Sequence, residues 1–316
     1  MVCPYSKVYA AVWPKSAANM ECILIYANIG LLTQEITGRR ANEHRQKLFT
    51  SVQNLVQATA PDVLCMCEVG SYVGTSCGPL ERADMETIIK TCRDAWTEVM
   101  DCELDWEYEL PHPYLTMYNK LTTEIIKAEI VPTFVGTGGR QRFAQRLSCG
   151  TRGCEPFDIW NIHNPCPRKP YGLTNMQREE SLAAILLTES LSNQQKRTTE
   201  APVVLGGDMN ITCEYMHFLM DKLLPQLGNL CATLMVYKPR NIAENYKLIP
   251  QNSPDFCLSS LQAKVLDFEI DLPKPKAHIP YGICIQCEPL KNAHVLANNR
   301  VRRWKKPRHS IVVGEL

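Results

Sequence analysis

The strongest constraint on this chain is an alternation of strand-length apolar runs with segments of helical periodicity. The runs are Cys22–Tyr26, Val63–Cys67, Tyr114–Tyr118, Ile125–Val131, Phe157–His163, Pro202–Leu205, Phe256–Ser260, Ile283–Cys287 and Ser310–Val313. Between them Leu48, Val52, Leu55 and Val56 recur at the spacing of one helix face, as do Met85, Ile88, Ile89, Cys92 and Trp96. Thr174 with Gln177 three residues on has the pattern of a capping box, opening a third helix that carries Leu182, Ile185 and Leu186. A fourth follows Thr212 and presents Met216, Leu219, Met220, Leu223 and Leu224. About nine strands and four helices predict sheet layers covered by helices, an α/β or α+β sandwich. No repeat, long linker or low-complexity block interrupts the pattern, so 21–316 is expected to form a single domain after an extension, 1–20. Ile242–Ser253 and Pro273–Pro280 read as loops.

Composition narrows the function classes. At 316 residues the chain is long enough to bury a core without staples. Its 34 Lys and Arg against 33 Asp and Glu leave a formal charge of +1, far from that of a protein gripping nucleic acid by net charge. Any grip on phosphate must be local. The fifteen cysteines include Cys22, Cys65, Cys67 and Cys257 inside apolar runs, where cysteine acts as a small hydrophobe. Cys284 with Cys287 forms one C-x-x-C, but the looser pair Cys149 and Cys154 makes a poor second half of a zinc site. Pro4, Lys7, Pro14 and Lys15 break the first twenty residues, which lack the apolar core of a signal peptide, and Cys22–Leu32 is too short to span a bilayer. An intracellular setting, cytoplasmic or nuclear, is expected.

Single polar residues punctuate the strands. Asn28 follows the first run, Glu68 ends the second, and Asn161 and His163 close Phe157–His163. Asp208 and Asn210 follow Pro-Val-Val-Leu-Gly-Gly, Asp255 precedes Phe256–Ser260, and His309 precedes the last run. Taken singly, such a residue is a turn former or a satisfied polar group. Taken together, residues at strand ends can converge on one rim of a sheet, where sites tend to lie.

In this order and with these neighbours, the set resembles the endonuclease/exonuclease/phosphatase superfamily of metal-dependent phosphoesterases. The resemblance rests on the strand ending in Asn28, on 61–69 around Glu68, on Asn161-Ile162-His163, on Gly207-Asp208-Met209-Asn210, on 254–258 and on His309. It implies a four-layer sandwich, two packed β-sheets flanked by helices, with the site at one end. It further implies that Glu68, with Asn28 beside it, binds Mg²⁺ or Mn²⁺, hard cations that prefer oxygen ligands. Asp208, held by Asn210, would orient or deprotonate the attacking water. His163 and His309 would donate to phosphoryl oxygens as charge builds, with Asp255 fixing the His309 tautomer. Asn161 falls among the residues expected to meet substrate phosphate.

One position departs from the pattern: Pro307-Arg308-His309 stands where the family has Ser-Asp-His. Arginine cannot ligate a cation but can pair with phosphate. The alternative to an enzyme is therefore a weakened or inactive relative serving as a nucleic-acid-binding or scaffold protein. Residues 300–308 carry six basic groups and Trp304, so Arg303, Trp304 and Arg308 could collect a polyanion at the site's mouth and stack on a base. A solvated basic loop or a nuclear-import patch reads equally well, and so does a solvated role for Arg140, Arg142 and Arg146. Leu205-Gly206 before Gly207-Asp208 disfavours an inositol polyphosphate 5-phosphatase, which carries Trp there, and no amphipathic anchor supports a sphingomyelinase-like role. A nuclease-like phosphodiesterase acting on nucleic acid or another phosphodiester is the expectation, with oligomeric state open.

Overall fold

A computed structural model describes residues 20–29, 41–67, 82–95, 100–105, 114–135, 141–151, 153–164, 175–196, 202–227, 233–237, 255–266 and 280–290. The helices are α1 (Ala41–Thr59), α2 (Arg82–Ala95), α3 (Asn175–Lys196) and α4 (Cys213–Leu227). The strands of the first sheet are β1 (Glu21–Asn28), β2 (Val63–Cys67), β3 (Met100–Asp105), β4 (Tyr114–Asn119), β11 (Ala263–Leu266) and β12 (Tyr281–Gln286), in the order β11-β12-β1-β2-β4-β3. Those of the second are β5 (Thr123–Val135), β6 (Gln141–Thr151), β7 (Phe157–His163), β8 (Val203–Asp208), β9 (Met235–Tyr237) and β10 (Asp255–Ser259), in the order β5-β6-β7-β8-β10-β9.

Side-chain alternation explains the layers. On β1, Cys22, Leu24 and Tyr26 point between the sheets, while Ile25 and Ala27 lie under α1 and α2 with Leu48, Val52, Leu55, Val56, Ile88 and Cys92. With both faces covered, the strand reads as an unbroken apolar run. In the second sheet Trp160, Ile162, Val203 and Leu205 pack under α3 and α4 against Leu182, Ile185, Leu186, Met216, Leu219, Met220 and Leu223. Each fully buried aliphatic side chain stabilises the fold by about 1.5–3 kcal/mol relative to exposure. The result is helix, sheet, sheet, helix: the four-layer sandwich. Thr212 caps α4, its Oγ1 accepting from the Tyr215 N–H at 3.2 Å. No helix among the described residues is long and apolar enough to cross a membrane.

Four strands exceed what periodicity predicts: β3, β6, β9 and β11. The most consequential is β6, whose Gln145 and Arg146 are buried, which hides its period-two pattern behind polar letters. Pro132 sits in β5, an edge strand, where a lost donor costs least. The described cysteines are free thiols, and burial pushes Cys65 up to about 12. Cys284 and Cys287 are not paired: Cys287 joins the inter-sheet core while Cys284, between Ile283 and Ile285, takes the other face of β12. The expected loop Ile242–Ser253, the last run Ser310–Val313 and Trp96 lie outside the described residues.

Candidate active site at the carboxyl ends of two parallel pairs

Each sheet contains one parallel pair among its described strands, β1 with β2 and β7 with β8. The chain passes through α1 between the first two and through α3 between the second two. In such a pair, ligands bind beyond the carboxyl ends of the strands. Asn28 and Cys67 are the last partners of the first pair, and His163 and Asp208 the last of the second.

The two ends meet across the sandwich. Asn28 Nδ2 donates to Asp208 Oδ2 at 3.0 Å. His163 Nε2 lies 3.6 Å from the same oxygen, too long for a hydrogen bond. The other carboxylate oxygen, Oδ1, accepts from the Asn210 backbone N–H at 3.0 Å. Asp255 stands directly opposite Asp208 in the β8–β10 register. Both carboxylates are buried, at 1% and 2% exposure.

Two glycines explain how Asp208 is delivered. A Cβ on Gly206 would lie 2.3 Å from the Tyr26 ring, so only glycine lets that ring sit flat beneath the strand. Gly207 has φ +128°, and a Cβ there would fall 2.1 Å from the Ile162 carbonyl oxygen. Asn210, at φ +49°, takes the left-handed region that asparagine tolerates better than most residues.

Around this turn lie residues that sequence reasoning missed. Asn164 binds three consecutive residues: its N–H donates to the Asp208 carbonyl at 2.8 Å, its Nδ2 to that of Met209 at 2.9 Å, and its carbonyl accepts from Asn210 Nδ2 at 2.7 Å. Arg178, in the first turn of α3, donates to the Asn210 carbonyl. The only signal for Asn164 was its place next to His163. Nothing local marked Arg178.

Asn28, His163, Asp208, Asn210 and Asp255 therefore share one end of the sandwich, although they are scattered through the sequence. Glu68, Arg303, Trp304, Arg308 and His309 lie outside the described residues, Glu68 directly after Cys67. Asn161, among the residues expected to meet substrate phosphate, bridges the two sheets. It is fully buried, and its Nδ2 donates to the Met66 carbonyl at 3.0 Å and to Gln145 Oε1 at 3.4 Å, tying the second sheet to the first.

Arg146 is likewise no free cation. Its guanidinium pairs with Asp158 at 2.8 Å, Glu189 at 3.0 Å and Glu129 at 3.1 Å, over the face of Trp160 and beneath α3. Burial alone would lower the Arg146 pKa, but Glu189 and Asp158 outweigh it and raise it. Of its suggested companions, Arg140 and the Arg142 side chain lie outside what is described.

No protein-family model and no curated relative matches the sequence. Solved structures do resemble the chain. The human Nocturnin catalytic domain with bound sulfate aligns over 84% of this chain and 93% of its own, at 14% identity and a TM-score of 0.56. An endonuclease/exonuclease/phosphatase family protein from Leptotrichia buccalis aligns over 84% and 99%, at 13% identity and 0.53. ANGEL2, a 2′,3′-cyclic phosphatase solved with adenosine-2′,3′-vanadate, aligns over 85% and 96%, at 14% identity and 0.53. The chain has the fold of the endonuclease/exonuclease/phosphatase proteins.

Proposed function

We propose that the chain is a Mg²⁺- or Mn²⁺-dependent phosphoesterase, nuclease-like, that hydrolyses a phosphodiester by attack of water. The observation that carries this reading is the convergence of Asn28, His163, Asp208, Asn210 and Asp255 where two parallel pairs end face to face. Support for a tetrahedral phosphoryl substrate comes from the sulfate on Nocturnin and the vanadate on ANGEL2.

The donor set suits a hard cation, with amide and carboxylate oxygens on Asn28 and Asp208. Among the described residues no group of three His, Cys, Asp or Glu is placed to hold a metal, so in this reading Glu68, following the partner of Asn28, supplies the principal carboxylate. Glu68 and Asn28 would hold the ion, which supplies charge neutralisation at a phosphoryl oxygen. Asp208 orients and deprotonates the water, steadied by the Asn210 N–H and the Asn28 amide. His163 donates to a phosphoryl oxygen close to that water. His309, oriented by Asp255, takes a matching role, and Arg303, Trp304 and Arg308 meet the polyanion.

The test is release of product from bis(p-nitrophenyl) phosphate and a mixed oligonucleotide panel with Mg²⁺, Mn²⁺ or EDTA. Turnover is expected with metal and not with EDTA, and Asp208→Asn should lower kcat by about 10²–10⁴-fold, as loss of a general base does. Tight oligonucleotide binding without turnover in any metal would replace this reading with the scaffold one that Arg308 motivates.

A further inference from the structure

Two tyrosines of the first sheet reach across the sandwich and insert their hydroxyls between strands of the second. Gln145 pairs with Asn161 on β6 and β7, a register that sets Phe143 opposite His163. At that point the His163 N–H donates to the Tyr114 hydroxyl at 3.1 Å, and the hydroxyl donates on to the Phe143 carbonyl at 2.8 Å. On the other side, Gly207 pairs with Phe256 on β8 and β10. There the Gly207 N–H donates to the Tyr281 hydroxyl at 2.7 Å, which donates to the Phe256 carbonyl at 2.6 Å. The device occurs twice, at His163 and next to Asp208.

In each case two hydrogen bonds in series stand where a single one of about 2.9 Å would close a ladder. On the β6 side the last paired residues are Gln145 and Asn161, short of the inserted hydroxyl, while on the β10 side Asp208 and Asp255 stay opposite each other beyond it. Both phenols are rooted in the first sheet, in β4 and β12, and both are buried, so each fixes the end of the second sheet against the first. Asn28 belongs to the first sheet and Asp208 to the second, so this inter-sheet spacing is the one that the site depends on.

We propose that Tyr114 and Tyr281 are positioning residues, paired hydroxyl wedges that set His163 and Asp208 in register with Asn28. The inference rests on the phosphoesterase reading for its role in turnover, but not for its geometry. Tyr26 provides the internal comparison. Its ring stacks on Tyr281, with centroids 5.3 Å apart, yet its buried hydroxyl has no hydrogen-bond partner among the described residues.

The experiment compares Tyr114→Phe, Tyr281→Phe and Tyr26→Phe in the full chain on bis(p-nitrophenyl) phosphate with Mn²⁺. Misplacing reacting groups by about 1 Å costs about 10²-fold, so the two wedge variants should lose about 10- to 100-fold in kcat. Their KM should stay within about threefold of wild type, while Tyr26→Phe leaves both constants unchanged. Folded wedge variants that turn over like Tyr26→Phe would overturn the proposal. If a wedge variant does not fold, 4-aminophenylalanine at that position keeps a donor and an acceptor there. It should fold and turn over within about tenfold of wild type; folding without turnover overturns the proposal. If wild type hydrolyses nothing, the phosphoesterase reading fails by itself. Crystal structures of wild type and Tyr281→Phe then decide: a shift of the Asp208 carboxylate from Asn28 of about 1 Å supports the wedge, and an unmoved carboxylate refutes it.

Discussion

Replacing Arg146 separates a structural cation from a substrate-binding one. Arg146→Met keeps the long apolar stem and removes the charge. It leaves Asp158, at 2% side-chain exposure, and Glu189, at 0%, without their shared cation. Ser148 and the Trp160 Nε1–H still donate to them, the latter at 3.0 Å, but neutral donors do not offset two buried negative charges. Breaking a buried pair in this way costs about 3–5 kcal/mol, a large part of the roughly 5–15 kcal/mol that holds a typical domain folded. Contact with the partly exposed Glu129 adds little. Urea unfolding followed by tryptophan fluorescence measures the loss. The triple variant Arg146→Met, Asp158→Asn, Glu189→Gln should recover most of it, because its neutral partners need no cation. A single variant that costs under about 1 kcal/mol, or that weakens oligonucleotide binding at unchanged stability, would refute the argument and return Arg146 to the substrate.

Gly206→Ala should destabilise strongly but be largely rescued by Tyr26→Leu, which removes the ring that the new Cβ strikes; Gly207→Ala should resist rescue, because its obstacle is the Ile162 backbone, and urea midpoints of the single and double variants check both. Burial of Glu129 works to raise its pKa, but Lys127 and Arg146 outweigh burial and hold it below the usual carboxylate range. Its contribution to stability is present above its unfolded value of about 4.3 and is lost as pH falls through the lower folded value. Wild type should therefore lose stability more steeply than Glu129→Gln below that pH, in urea titrations at about pH 3–5.

Much of this architecture is legible from apolar spacing alone. Val63–Cys67 and Phe157–His163 match their strands residue for residue, and the buried faces of α1, α3 and α4 carry the residues that periodicity selects, the Leu224 side chain lying outside what is described. What escaped was polar and buried. The strand β6 hides Gln145 and Arg146 inside, each satisfied by partners far away in sequence, and no local pattern announces such a partner. The site shows the same division. Asn28, His163, Asp208, Asn210 and Asp255 stood out because each interrupts or ends an apolar run. Asn164, Arg178, Tyr114 and Tyr281 did not, since a strand-opening tyrosine or a helix arginine is ordinary until its hydrogen-bond partner is known.

The hydrogen bond from Asn28 to Asp208 joins residues 180 apart in the chain, and the two crossover pairs it links belong to different sheets. During synthesis, the amino-terminal strand must wait for more than half of the polypeptide before its counterpart exists. The two side chains therefore meet late, after loop closure over long separations, which is the slow regime of folding. A nascent or truncated chain that ends before Asp208 has no partial version of this arrangement. Conversely, anything that loosens the docking of one sheet on the other disarms the site before it unravels either sheet.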